Sequence, residues 1–171
     1  NDQCNFHCVY CPYDMDKSHE FAVMDQGKAR EIVDQLVADD ALDGYLLFNV
    51  LGEPLMYSGI FDVIKYAGVR GLKTKLATNG SLLTQKNIQG LIEAAPTLLK
   101  VSVESLDPKV FAELRRTTIT FDTYVRRVSN LVSSVIEAGD SFASYLQLDV
   151  IYANGNVYAL NRVSGLEAAD P

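Results

Sequence analysis

The sequence predicts an α/β fold built around a parallel sheet. Three observations carry that reading: helix-period and strand-like segments alternate, the connections between them are short, and no Gly/Ser/Pro-rich linker or low-complexity tract divides the 171 residues. That length suits one domain with a sizeable core. A composition that is 48% hydrophobic and 22% charged excludes a disordered chain. With 22 Asp+Glu against 15 Lys+Arg, the chain lacks the basic footprint of a nucleic-acid binder. No apolar run nears the ~20 residues of a membrane span, and neither a membrane partner nor a signal peptide is expected.

The elements follow in order. Residues 25–39 form a helix, with Ala29, Ile32, Val33, Leu36 and Val37 at helical spacing. Residues 44–50 are a nearly continuous apolar run, read as a strand covered on both faces. Residues 59–69 return to helix period through Ile60, Phe61, Ile64 and Ala67, with Gly71 as the stop. Residues 72–78 set Leu72, Thr74, Leu76 and Thr78 against Lys73 and Lys75, a period of two. Thr84 opens a helix carrying Ile88, Leu91 and Ile92, closed by Pro96. Residues 98–104 form a strand, and Asp107-Pro108 starts the next helix, Asp as N-cap and Pro at the first helical position. A longer helix over about 122–138 presents Val125, Val128, Leu131, Val132, Val135 and Ile136 and stops at Gly139. Residues 143–152 form a last strand before the Asn154-Gly155-Asn156 turn, with at most one short helix after it. Four strands at intervals of about 25–45 residues are βα units, not a solenoid repeat. They imply right-handed crossovers in an open sheet or a partial TIM-type (βα) barrel. Both ends read as cut from a longer domain.

The cysteines are the odd feature. All three fall at Cys4, Cys8 and Cys11, and no cysteine elsewhere could pair with them. A disulfide framework is excluded, and a metal or redox site in a reducing compartment is favoured. The spacing C-x3-C-x2-C lets three thiolates wrap one compact centre. A four-iron cubane held by three cysteines keeps one iron open to an exogenous chelate. The alternatives are a structural zinc on Cys4, His7, Cys8 and Cys11, which would turn adjacent residues onto one ion, and three incidental buried cysteines. His7 and His19, the only histidines, read as exposed loop residues.

The loop Cys4-Asn5-Phe6-His7-Cys8-Val9-Tyr10-Cys11 resembles the cluster loop of the radical S-adenosylmethionine (radical SAM) superfamily, with Tyr10 at the aromatic position and Asn5 after the first cysteine. Segments resembling that family follow at successive strand ends. Asn49-Val50-Leu51-Gly52-Glu53-Pro54-Leu55 is similar to its Gly-Gly-Glu-Pro segment, with Leu51 for the first glycine. Ala77-Thr78-Asn79-Gly80 is similar to its Thr-Asn-Gly segment, and Ser102-Val103-Glu104 to its Ser-x-Asp.

The resemblance spans roughly residues 4–156 and is nearest to the peptide-modifying and molybdenum-cofactor-type groups. It implies that residues 1–171 are a radical SAM core, with the cluster loop at 4–11 and βα repeats over about 25–156. It implies a [4Fe-4S] cluster on Cys4, Cys8 and Cys11, and SAM bound by Tyr10, Gly52, Glu53, Asn79, Ser102, Glu104 and Ile151. Glu53 would hold the methionyl amino group, and Ile151 would pack on adenine. Either Arg115 or Arg116 would meet the SAM carboxylate; the competing reading is of two cations at a helix C-terminus. The implied activity is reductive cleavage of SAM to a 5′-deoxyadenosyl radical that abstracts a substrate hydrogen, with no separate acid, base or nucleophile. Implied partners are an electron donor such as flavodoxin or ferredoxin and a peptide or small-molecule substrate, in the cytoplasm. The competing function is a non-catalytic zinc or iron–sulfur module.

Overall fold

A computed structural model describes residues 2–12, 22–40, 43–48, 51–139, 142, 145–153 and 156–160. In chain order the elements are α1 (Gln26–Ala38), β1 (Tyr45–Leu47), a single 3-10 turn (Pro54–Met56), α2 (Ile60–Val69), β2 (Lys73–Thr78), α3 (Gln85–Ala94), β3 (Leu98–Ser105), α4 (Pro108–Arg115), α5 (Phe121–Ala138), β4 (Tyr145–Ala153) and β5 (Asn156–Leu160). The strands form one sheet in the order β1-β2-β3-β4-β5. β1 to β4 are mutually parallel, and β5 returns antiparallel to β4.

Four of the five described helices, α2 after Gly59 being the exception, start where a side-chain oxygen accepts from an otherwise unpaired backbone N–H. Asp25, Thr84 and Thr120 each accept from the backbone N–H three residues on, and Asp107 accepts from Lys109 at 2.7 Å and Val110 at 3.1 Å. Gly71 follows α2 at φ +86°, and Ala95 and Arg116 close α3 and α4 in the left-handed region.

The alternation read in β2 is the alternation observed. Thr74, Leu76 and Thr78 are buried toward the helices with Leu99, Val101 and Leu146 of the neighbouring strands. Against them pack Ile60 and Ile64 of α2, Ile88 and Leu91 of α3, and Tyr124, Leu131 and Val135 of α5.

Three expectations are corrected. The apolar run at 44–50 is not covered on both faces: β1 lies at the sheet edge, with Tyr45 41% and Leu47 51% exposed, and Asn49 and Val50 fall outside the described residues. The inward face of α5 runs through Tyr124, Val128, Leu131 and Val135, whereas Ile136 is 60% exposed. An aromatic at helical spacing belonged in the stripe. After β4 the chain forms β5, an unpredicted strand; Asn154, Gly155 and residues 161–171, where a short helix was expected, fall outside the described residues.

Among the described residues no helix is long and apolar enough to cross a membrane. Removing the double cap in Asp107→Ala lowers stability by about 1 kcal/mol. Urea unfolding reads this as a lower midpoint at unchanged slope; an unchanged midpoint removes the cap as a determinant of α4.

Candidate functional site

The strand C-termini of β2 and β3 meet the cysteine loop around one side chain, Arg115. It is the last residue of α4 and only 2% exposed. Its Nη1 donates to the Tyr10 hydroxyl at 2.9 Å and to Glu104 Oε1 at 3.3 Å. Its Nη2 donates to the carbonyls of Asn79 at 3.0 Å and Ser102 at 2.7 Å. The guanidinium lies over the Phe6 ring, 4.8 Å from its centroid. Arg116, one residue on, is the exposed left-handed cap at φ +43°. The two arginines are therefore not equivalent helix-end cations: Arg115 joins β2, β3 and the cysteine loop.

That loop is fastened to the end of α4. The N–H groups of His7 and Val9 donate to the carbonyls of Arg115 and Leu114 at 3.3 and 3.0 Å, satisfying acceptors the helix leaves open. Phe6 is buried edge-on to Phe111 of the same helix. On the other side, Asn5 Nδ2 donates to Ser81 Oγ at 2.9 Å, and Asn79 Nδ2 donates to Asn5 Oδ1 at 3.0 Å.

The three cysteines are free thiols, Cys8 buried and the others half-buried. Burial pushes the thiols of Cys4 and Cys8 above their ordinary range, and the Arg115 charge pulls Cys8 the other way. Two donors already point at Cys4 Sγ: the Phe6 N–H at 3.5 Å and Asn79 Nδ2 at 3.8 Å. Donors aimed at sulfur, with a fixed cation nearby, suit thiolates carrying the charge of an iron–sulfur centre. Among the described residues no three His, Cys, Asp or Glu side chains converge as a single-ion site. A mononuclear zinc would need such convergence at ~2.3 Å sulfur distances, whereas thiolates serving separate irons need not meet.

Gly52 and Glu53 pack beneath the loop. Gly52 sits at φ +84°, and a Cβ there would come within 2.7 Å of the Asp2 and Gln3 backbone. A glycine is required where two backbones touch this closely. The Glu53 N–H donates to the Gln3 carbonyl at 2.6 Å. The Glu53 side chain is 1% exposed and accepts from Thr78 Oγ1 at 2.7 Å, Asn79 N at 2.7 Å and Leu55 N at 3.0 Å. Burial raises its pKa; these donors and the Arg115 charge offset part of that. Glu53 thus locks the end of β2 to its own loop instead of lying open at the strand mouth.

Ser102 and Glu104 were expected on one face of a regular strand. The register against β4 shifts on both sides of Glu104, which sits at φ +68° and is 5% exposed, paired with Arg115. The bulge takes its carboxylate out of the alternation. Ser102 contributes its carbonyl, which also accepts from the Tyr124 hydroxyl at 3.1 Å. Tyr10 meets Arg115 through its hydroxyl, whose pKa burial pushes up while the Arg115 charge pulls it down. Ile151 lies in β4, with its side chain outside the described residues; His7 is exposed, and His19 is outside them. Spacing gave no sign of Ser81; Thr78 and Phe6 stood inside the motifs with no role of their own; Tyr124 was left out of the α5 stripe, although its helical spacing to Val128, Leu131 and Val135 could have found it.

A profile of the radical SAM superfamily matches residues 1–142. A GTP 3′,8-cyclase of Pseudomonas savastanoi pv. phaseolicola is 36% identical over 119 residues, covering 68% of this chain and 35% of that protein. An AdoMet-dependent heme synthase of Methanosarcina barkeri is 28% identical over 112 residues, covering 66% of this chain and 31% of that protein. This chain spans about a third of the length of these relatives. SuiB of Streptococcus suis bound to S-adenosylmethionine superposes with a TM-score of 0.65 at 18% identity, covering 90% of this chain and 32% of that one. BtrN in complex with AdoMet and 2-DOIA does so at 0.62 and 22%, covering 86% and 52%. These two likenesses show the fold, a partial βα barrel.

Arg115→Met leaves Glu104 buried without its cation and destabilises the protein by about 3–5 kcal/mol, whereas Arg116→Met stays within about 0.5 kcal/mol. Urea midpoints of the two variants check this; equal losses would mean that Arg115 does not hold the site together.

Proposed function

The chain belongs to the radical SAM superfamily, and on that premise we propose that Cys4, Cys8 and Cys11 hold a [4Fe-4S] cluster beside a SAM site built on the ends of β2 and β3. The observation that supports this most is the seating of the three-thiol loop on Arg115, Asn79 and Gly52, with donors already turned toward Cys4. When bound, the cluster and SAM supply one-electron cleavage of SAM that ends in hydrogen abstraction from a substrate. The zinc-module alternative gains no support from the site or the comparisons.

In this reading the protein's own groups bind, orient and exclude water. Gly52 brings backbone close to the ligand, and Glu53 keeps the β2 end in place while its charge attracts the SAM ammonium. Arg115 is the arginine assigned to the SAM carboxylate, because its Nε is buried without a hydrogen-bond partner among the described residues. Tyr10, Asn79, Ser102 and Glu104 form the rim, and Ile151 is assigned to the adenine. A low-potential donor of the flavodoxin or ferredoxin type would deliver the electron, and a reducing compartment such as the cytoplasm suits free thiols. Between a peptide and a small-molecule substrate, 36% identity to a GTP 3′,8-cyclase favours the small molecule.

Anaerobic reconstitution with iron and sulfide, followed by SAM and dithionite, yields 5′-deoxyadenosine in the wild type and only background in Cys8→Ala. A reconstituted protein with a full cluster that forms none would overturn the proposal.

A further inference from the structure

The sheet face turned away from the helices is basic in an otherwise acidic chain. Leu76, Leu99, Val101 and Leu146 are buried on the helix side, so Lys75, Lys100, Ser102, Gln147 and Asp149, which alternate with them, share the opposite face. The parallel register places Lys100 beside Gln147 and Ser102 beside Asp149. The Lys100 ammonium is ion-paired with one Asp149 oxygen, and Gln147 Nε2 donates to the other at 2.7 Å. Both members are half-buried, with side chains 29% and 17% exposed. Lys75 is half-buried as well, and its ammonium has no ion-pair partner among the described residues; Lys73 stands one same-face step lower on β2. Among the described residues three lysines thus face one carboxylate on this surface, although the chain carries a net −7.

The position of these groups relative to the cofactor site gives them a use. Lys100 precedes Ser102 by two residues, so its Cα lies about 7 Å down the strand from the carbonyl that Arg115 holds. Lys75 lies four residues, about 13 Å, below Asn79. A half-buried ammonium without a counter-charge is costly, and an anion arriving from solvent relieves that cost. Asp149, itself held by Gln147, orients Lys100 without neutralising Lys75.

Resting on the radical SAM reading, we propose that this face binds an anionic group of the substrate, a phosphate or a carboxylate. Lys75 and Lys100 supply the cations, and Asp149 and Gln147 act as positioning residues for Lys100.

Calorimetric titration of the reconstituted, SAM-loaded protein with inorganic triphosphate and, separately, with citrate tests this. One of the two anions binds, more weakly as salt rises. Lys75→Gln and Lys100→Gln each weaken it about tenfold, Lys100→Arg restores it, and Lys86→Gln on the exposed side of α3 changes nothing. Tighter triphosphate binding identifies a phosphate, and tighter citrate binding a carboxylate. Binding of neither, or wild-type affinity in both glutamine variants, overturns the proposal. The titration is read apart from 5′-deoxyadenosine formation: loss of anion binding with 5′-deoxyadenosine intact defeats this inference alone, and the reverse result defeats the enzyme reading.

Discussion

A buried guanidinium stabilises a fold only where enough acceptors surround it; short of them, its desolvation exceeds its attraction to any single carboxylate. Arg115 meets that condition with acceptors from four separate places in the chain: Tyr10, Asn79, Ser102 and Glu104. Two of these are main-chain carbonyls at the ends of adjacent strands, so one side chain fixes how far those strands project. A third sits within the cysteine loop. The fourth, Glu104, sits at a bulge of β3 with a positive φ and meets Arg115 there as an ion pair.

From this constraint the surroundings follow. Gly80 sits at φ +79°, a conformation that strains any side chain, and a Cβ there would press on Tyr124 and Val101 at 3.1 Å. Tyr124 must be a tyrosine, since its hydroxyl shares the Ser102 carbonyl with Arg115 while its ring packs on Phe111, 4.7 Å between centroids. The cysteine loop adds its own ties through Asn5 and Ser81. The thiols are thereby held by residues from the turn after β2, from α4 and from the loop itself.

The βα order and most helix boundaries were legible because they follow from local chemistry. Thr84 and Asp107 cap, Gly71 and Gly139 terminate, and β2 alternates under covering helices. The Cys4–Cys11 spacing and Asn79-Gly80 were legible as motifs. What the sequence could not give were non-local decisions. Arg115 and Arg116 are identical neighbours, and only helix phase relative to the sheet buries one and exposes the other. Glu53 reads as a strand-end ligand, yet its carboxylate turns back onto Thr78 and Asn79, where two strand ends supply donors. The exposure of β1 was hidden because an apolar run does not say which strands flank it, and β5 because a hairpin return depends on the sheet it joins.

The carbonyls at the end of α4 accept from the backbone of His7 and Val9, more than a hundred residues earlier in the chain. Joining such distant segments closes a long loop, whose entropy must be overcome by the whole network at once. Order in the thiol loop and order in the last turn of α4 are therefore one thermodynamic event. By linkage, any species that binds the thiolates tightens that helix end, and any change that frays the helix lowers the affinity of the thiolates by the same free energy. The chain so reports the occupancy of its thiol loop at a helix terminus, where backbone amide exchange can read it.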